Sequence, residues 1–446
     1  MTDAPLSSSP SGEDPKASEE ALLGSVDTMQ AITLNTLTFP GARVTVGYRI
    51  AFTLASAVGG LSSVCIKQLL LPIQVSALDP VSTNTSFALV ASIGALAGLI
   101  ASPLSGALSD RTTLRWGRRR PWICGGVLVA ACGLLIMARA TSIPLLLFGE
   151  ILAQIGVDTV LSCVTAILAD QVPPARRPLL SALNGMAPIV GGILGLVAVT
   201  LFTQTSDIAL GYVLLAGASV CCTFPFVFMI REAPLDREAR PPFHLLTFIA
   251  GFVAPLRSRD FALTVLSRCL VFLSFTLLGA YLLFFLCARL GFSLAEAKVG
   301  VTLFQALSTA LVLPISVLGG MLAHRVQRLK PFVIVGVLVM AAGLLIIACV
   351  PLWGAILCAA AVFGCGWGLF LGVDIALAIA VLPDTAGSGK DLGVLYTSIF
   401  LPLLLSPIIG ATVLNTTGNN YTLLFLLAAL ASVLAAGTML PIRSVR

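Results

Sequence analysis

Residues 109–123 read SDRTTLRWGRRRPWI and place six charged side chains within fifteen residues. Charge is scarce elsewhere in the chain, since only 10% of the 446 residues are charged whereas 58% are hydrophobic. A soluble chain of this length buries only about 75% of the surface that it exposes when unfolded, which is too little for so apolar a composition. The stretch is therefore predicted to be a short turn between two membrane-spanning segments.

Apolar runs long enough to cross a bilayer, about 20 residues in a helix, recur twelve times along the chain. The predicted spans are residues 46–75, 86–108, 122–140, 143–169, 179–202, 208–230, 261–288, 299–323, 331–350, 352–383, 392–414 and 421–442. The runs lack the alternation of a membrane β-strand, and a helix satisfies its own backbone groups in lipid. The predicted fold class is an all-α integral membrane protein with twelve transmembrane helices.

The distribution of Lys and Arg predicts how these spans are oriented. When the connections are numbered alternately, nearly all of the basic residues fall on one side, and the other side holds only Arg139, Arg289 and Lys298. By the positive-inside bias the basic side is cytoplasmic, with both termini inside and the plasma membrane as the expected location. The net charge of +6 is divided among many short loops, which argues against a nucleic-acid partner.

The sequence also repeats itself when it is shifted by 214 residues. GALSDR at 106–111 falls on GMLAHR at 320–325, and Asp170 falls on Asp384. Ordered matches at one shift indicate a duplication and a layout of two parallel-repeat bundles. The predicted domains are a disordered cytoplasmic tail at 1–42, an N-terminal six-helix bundle at 43–230, a cytoplasmic linker at 231–260 and a C-terminal six-helix bundle at 261–446.

The charged turn carries a recognisable motif, G-x-x-x-D-R followed by G-R-R-R. Its residues are Gly106, Asp110, Arg111, Gly117, Arg118 and Arg119. This pattern resembles the signature loop of the major facilitator superfamily. The five-residue insert TTLRW and the sequence AILAD at 166–170 are similar to the sucrose carriers and the glycoside-pentoside-hexuronide:cation symporters. The resemblance implies a monomeric secondary transporter without a cofactor, which moves a small solute, with protons, by alternating access.

Two departures from that branch leave the direction of transport open. In sucrose carriers the fourth span carries an acid and an Arg at positions where this chain has Gln154 and Thr165. The sequence APIVGGILG at 187–195 resembles instead a motif of drug:proton antiporters. The same small residues also suit close helix packing. Export of drugs or amphiphilic metabolites is therefore the alternative to sugar uptake, and a non-transporting membrane sensor is a more remote one.

The arginines of the turn have a simple interpretation as a topology anchor, but Asp110 suggests a gate as well. The resemblance implies that this acid lies across from the start of span eleven, GSGKDLG at 387–393. Free backbone N–H groups and the positive end of the helix dipole would attract the carboxylate there. Arg111 and Arg118 are expected to hold the Asp110 carboxylate in place.

Ionisable residues inside the spans are candidates for the transport site, since each costs about 3 kcal/mol or more at mid-helix. They lie on spans one, four, seven and ten, which the resemblance implies line the cavity, and are Lys67, Glu150, Asp158, Arg268 and Asp374. Glu150, Gln154 and Asp158 have i, i+4, i+8 spacing and share one helix face. The alternative is a set of buried pairs that only fixes helix packing.

Helical rise predicts which of these charges meet. Arg268 and Asp374 lie about 12 and 15 Å from the basic side and are expected to pair. Lys67 and Glu150 lie at matched depths of roughly 10–12 Å from the other side, and are also expected to pair. Asp158 is then left near mid-membrane without a base at its level, and is expected to carry the coupling proton.

The substrate is less well defined by the sequence. Amide, hydroxyl and aromatic candidates for a sugar site are Asn184, Gln305, Ser308, Tyr281, Trp367 and Thr397. An enzyme is disfavoured, because both histidines lie in or beside loops and no catalytic spacing appears. All eleven cysteines fall inside predicted spans without a C-x-x-C pair, so neither disulfides nor a metal site is expected.

Overall fold

A computed structural model describes residues 45–173, 176–203, 207–230, 232, 258–381 and 388–442, with the backbone alone at 169, 379 and 388–397. Within these residues, twelve helices are long and apolar enough to span a membrane, which confirms the predicted fold class. They are α1 (Val46–Leu78), α2 (Thr83–Ser109), α3 (Arg120–Ala138), α4 (Ile143–Gln171), α5 (Arg177–Phe202), α6 (Ile208–Met229), α7 (Arg259–Leu290), α8 (Leu294–Val326), α9 (Lys330–Cys349), α10 (Trp353–Ala380), α11 (Ser388–Thr416) and α12 (Tyr421–Met439). The predicted tail and most of the predicted linker lie outside the described residues.

Local sequence fixes where several of these helices begin and end. Proline stands in the first turn of four of them, at Pro121, Pro144, Pro178 and Pro331. It suits that turn because its missing N–H would have no partner there. Gly291 ends α7 with φ 69°, a left-handed conformation that glycine adopts readily. Ser293 and Glu296 then start α8 with a capping box.

The first span departs from the regular helix that the sequence predicts. It runs to Leu78, three residues beyond the predicted end at Val75. It also contains a π-turn at Ile66–Leu70, between the α-helical segments Val46–Cys65 and Leu71–Leu78. A π-turn carries an extra residue, which changes the direction of the side chains that follow and often occurs at functional sites. Lys67 lies inside this turn.

The two halves of the chain pack in the same way, as expected for parallel repeats. Each of the five most extensively packed helix pairs in the first bundle has a counterpart six helices later: α1–α5 and α7–α11, α2–α4 and α8–α10, α3–α4 and α9–α10, α3–α6 and α9–α12, α1–α6 and α7–α12. The two six-helix bundles meet mainly through α2 with α11 and α5 with α8. The π-turn of α1 adds contacts with α7 and α8.

The bundles are held together at one end of the molecule. We call the end that carries Arg118 and Arg119 the basic end, and the other the opposite end. At the opposite end Asn84 of α2 donates to Asn415 and Asn419, at 3.2 and 2.9 Å. Nearby, the ring of Phe87 lies edge-on to that of Tyr281, with 5.6 Å between centroids. These contacts close the opposite end between α2 and the second bundle.

Candidate functional site

The charged motif at the basic end forms a network around Arg119. This side chain is only 4% exposed, and its Nη2 lies 2.6 Å from Asp110 Oδ1 and 2.7 Å from Asp170 Oδ2. Arg118 Nη2 lies 2.5 Å from the same oxygen of Asp170. The prediction that Arg118 holds Asp110 was wrong, because the guanidinium on Asp110 is that of Arg119. The network joins the end of α2, the start of α3 and the end of α4.

Glu232, just after α6, belongs to the same network and was not singled out from the sequence. Its Oε2 accepts hydrogen bonds from the backbone N–H groups of Arg119 and Arg120, at 2.7 and 3.2 Å. A carboxylate is favourable at the start of α3, where N–H groups lack helical partners. Gly117 makes room for it, since it has φ 104° and a Cβ atom there would lie 2.6 Å from Glu232 Oε2.

The predicted contact between Asp110 and the start of α11 lies outside the described residues. Asp384 and Gly387 are not described, and the side chains of 388–397 are not described either, including those of Asp391 and Thr397. The gate therefore remains a prediction on the α11 side. On the α2 side, Arg119 orients the carboxylate of Asp110.

The three polar residues of α4 are buried together, on the face that packs against α2. Gln154 Nε2 donates to Asp158 Oδ2 at 2.7 Å, as the i, i+4 spacing predicts. Glycines on α2 lie against the two acids. A Cβ atom at Gly94 would lie 2.6 Å from Glu150 Cγ, and one at Gly98 would overlap Asp158 Oδ2. The Gly-x-x-x-Gly spacing of α2 was the signal for this close approach.

Lys67 and Glu150 do not form the predicted ion pair in this conformation. Glu150 is 1% exposed, and neither of its carboxyl oxygens has a hydrogen-bond partner among the described residues. Lys67 is close enough to interact electrostatically with both Glu150 and Asp158. Counted from the observed helix ends, Lys67 lies about 16 Å from the opposite end, between Glu150 at about 10 Å and Asp158 at about 22 Å. The longer α1 and its π-turn displace Lys67 from the predicted level.

Arg268 and Asp374 form the predicted ion pair between α7 and α10. Both residues are buried, and Arg268 Nε also donates to Ser398 Oγ of α11 at 3.0 Å. The guanidinium carbon lies 5.8 Å from the centre of the Phe272 ring, within the range of a cation–π contact. Arg268 and Asp374 therefore neutralise each other within the second bundle, whereas Glu150 in the first bundle has no hydrogen-bond partner among the described residues.

Most of the described side chains among the sugar-site candidates already have partners within the protein, on several different helices. Trp367 is 7% exposed and stacks on Phe275 and Phe370, with centroids 4.5 and 5.5 Å away, so its ring is already occupied. Asn184 interacts with Ser56 of α1 and Thr165 of α4. The Tyr281 hydroxyl donates a hydrogen bond to the Pro407 carbonyl, and the Gln305 amide donates one to the Thr309 hydroxyl. The backbone of Ser308 packs against Gly364.

The small residues of the antiporter-like motif in α5 serve close packing against α1. A Cβ atom at Gly192 would lie 3.0 Å from Val64 Cγ2, and one at Gly195 would lie 2.6 Å from Cys65 Sγ. Gly60 of α1 in turn lies against the carbonyl of Pro188. These contacts account for the small residues without an export function.

A second contact that closes the opposite end involves Lys298, which the sequence marked only as a base near a loop. Lys298 Nζ of α8 donates to the carbonyl and hydroxyl oxygens of Thr203, at 2.5 and 2.7 Å. Thr203 follows the last residue of α5, where carbonyl groups lack helical partners and attract a cation. Thr200 and Thr302 hydrogen-bond one turn away at 2.7 Å. Lys298 therefore joins the two bundles.

Two partial relatives come from comparison of the sequence with known proteins. The chain is 33% identical over 124 residues to Solute carrier family 45 member 4 of Mus musculus. This aligned region covers 24% of this chain and 16% of that protein. It is 35% identical over 77 residues to the General alpha-glucoside permease of Schizosaccharomyces pombe. This second aligned region covers 17% of this chain and 14% of the permease. The chain thus matches only about a sixth of the length of these relatives.

Solved structures share the fold over nearly the whole chain. A bacterial homolog to the human lysosomal transporter Spinster, in an inward-facing and unoccupied conformation, has a TM-score of 0.67 at 16% identity and covers 90% of this chain and 99% of its own. The nucleoside transporter NupG has a TM-score of 0.67 at 13% identity, over 90% of this chain and 99% of its own. The sequence profile of the Major Facilitator Superfamily matches residues 50–389. With this match and twelve spans in two repeated bundles, the chain belongs to the Major Facilitator Superfamily of transporters.

Proposed function

We propose that the protein is a proton-coupled secondary transporter that moves a small solute by alternating access. The observation that carries the proposal is the carboxyl group of Glu150, which is buried and accepts no hydrogen bond from the residues that the structure describes. An unpaired charge inside a membrane protein costs about 3 kcal/mol or more at mid-helix. In this conformation Glu150 therefore needs either a proton or the ammonium group of Lys67.

Lys67 is the positive charge that can replace the proton on an acid of α4. Its level lies between those of Glu150 and Asp158, and its flexible side chain can bring positive charge to either acid. Asp158 already has the Gln154 amide as a partner, whereas Glu150 has none. We therefore assign the proton in this conformation to Glu150 and retain Asp158 as the second acid of the coupling pair. This revises the sequence prediction, which rested on an ion pair between Lys67 and Glu150.

Closure of the opposite end supports alternating access. The contacts of Asn84 with α11 and of Lys298 with Thr203 must break before the solute can leave or enter at that end. The network of Asp110, Arg119 and Asp170 is then available to stabilise closure of the basic end. We place the basic end in the cytoplasm of a plasma-membrane monomer, following the positive-inside bias.

A sugar or glycoside imported with protons is the substrate class we propose. It is supported by the turn between α2 and α3, in which the insert TTLRW precedes GRRRP, and by the partial likeness to the alpha-glucoside permease. Export of a drug or amphiphilic metabolite is the second candidate. The scattered positions of the amide and hydroxyl candidates favour it, because a sugar needs several such groups together.

Proton flux in proteoliposomes tests this proposal. Solute-dependent proton movement would be measured with a panel of sugars and glycosides and with a panel of lipophilic cations. Influx of protons with a sugar supports symport, and efflux against a lipophilic cation supports export. Asp79→Asn is a suitable control for substitutions of the acids inside the spans, because Asp79 lies outside the spans, in the connection between α1 and α2. Solute transport that moves no protons in the unaltered protein would contradict coupling.

A further inference from the structure

The surroundings of Glu150 contain other buried polar groups that have no partner. The Tyr212 hydroxyl of α6 and the Gln74 Oε1 of α1 are both buried and, like the two oxygens of Glu150, have no hydrogen bond to any part of the chain that the structure describes. Each buried polar group without a partner is unusual and requires an explanation. Three such side chains at one end of one bundle suggest a shared cause.

The three side chains lie at similar levels in the membrane. By helical rise from the opposite end, Gln74 and Tyr212 lie about 6 Å deep and Glu150 about 10 Å deep. Tyr212 is close enough to Glu150 for the two groups to interact electrostatically. Gln74 Nε2 donates to the carbonyl of Met137 at 2.8 Å, and Met137 in turn packs against Gly149, the residue before Glu150.

We propose that Gln74, Glu150 and Tyr212 enclose a small polar compartment that holds water, and that Tyr212 is a positioning residue for the coupling proton. The inference rests on the proposed function and deepens it. A water molecule can donate to one carboxyl oxygen and to the amide oxygen and accept from the phenol, which gives each of the three side chains a partner. Two to four such polar partners are what a buried water requires.

Water fits this compartment better than a metal cation does. The ionisable groups close enough to interact electrostatically with Glu150 are Lys67 from α1, Asp158 from its own helix and Tyr212 from α6, and Gly94 of α2 packs against its side chain. Lys67 already brings a positive charge close to Glu150, and that charge would repel a bound cation. A neutral molecule with both donors and acceptors meets no such repulsion, and it can relay a proton.

Tyr212→Phe is the direct test, with Tyr48→Phe as a matched control. Tyr48 also has a buried hydroxyl without a partner, but it lies in the first turn of α1 at the basic end. Removing the Tyr212 hydroxyl takes away the group that holds the water in place, and with it a hydrogen bond from water that favours ionised Glu150. The pH midpoint of transport should therefore move to more alkaline pH, by about 0.5–1 unit. Tyr48→Phe should leave the midpoint unchanged.

Two further measurements make the test specific. In a Glu150→Gln background, Tyr212→Phe should add nothing to the pH profile, because Tyr212 acts through that carboxyl. Infrared titration of the Glu150 carboxyl band in the purified protein should show the same alkaline shift, whether or not transport is coupled to protons. The inference is overturned by an unshifted band in Tyr212→Phe, by an equal shift in Tyr48→Phe, or by sodium binding that depends on Tyr212.

Discussion

The backbone at Gly98 of α2 lies directly against the carboxyl group of Asp158, so that a side chain at position 98 would overlap Oδ2. The same helix presents Gly94 to Glu150, one turn nearer to the opposite end. The acids of α4 are therefore covered by glycines of α2. The space available to each carboxyl group depends on how closely the two helices approach.

Gly98→Ala is expected to impair transport strongly and to lower the free energy of unfolding by about 1–3 kcal/mol, the usual range for overpacking. Transport and thermal unfolding of the purified protein measure the two effects. Gly217→Ala on α6 is the control, because a Cβ atom there meets no atom within 4 Å. An equal loss in both variants would show that helix glycines matter for a reason other than the contact with Asp158.

Replacing Arg119 by Gln should destabilise the protein more than replacing Arg118 by Gln. Arg119 is buried and contacts two carboxylates, so we expect a loss of about 2 kcal/mol. The side chain of Arg118 is 29% exposed and, among the described residues, pairs with Asp170 alone, so its loss should be below about 1 kcal/mol. Thermal unfolding of both variants measures this difference. The reverse order would place the centre of the network at Arg118.

The buried pair of Arg268 and Asp374 should show strong coupling between its two members. Arg268→Met or Asp374→Leu alone leaves one buried charge unpaired and should cost about 3–5 kcal/mol. The double variant should be milder than either single variant, because it leaves neither charge behind. Unfolding measurements on all four proteins of this cycle give the coupling energy. Additive effects would mean that the two side chains do not stabilise each other.

Lys298→Met should loosen the opposite end without unfolding either bundle. Hydrogen exchange should rise in peptides at the end of α5 and the start of α8, because the ammonium group that joins them is gone. Lys330→Met is a matched control, since Lys330 also donates to backbone carbonyls, those of Leu440 and Ile442, but within one bundle. Unchanged exchange in the Lys298 variant would remove this contact from the closure of the opposite end.

The contacts that the sequence predicted join side chains on regular helices. Arg268 and Asp374 could be paired by counting residues, because both helices are regular between the membrane surface and the charge. The same counting failed for Lys67 and Glu150, because neither a π-turn nor three extra residues of helix leave a clear mark in an apolar sequence. Glu232 and Lys298 were missed for another reason. Their partners are backbone atoms of Arg119 and Thr203, which no pattern of charges can reveal.

The most direct test of proton coupling through α4 compares two kinds of transport in Glu150→Gln. The account predicts that this variant loses accumulation driven by a pH gradient but keeps exchange of solute down its own gradient, because the solute path remains while the exchanging proton is lost. Asp158→Asn, measured beside it, reports the role of the second acid. Undiminished accumulation in both variants would contradict the account, since neither acid of α4 could then carry the coupling proton.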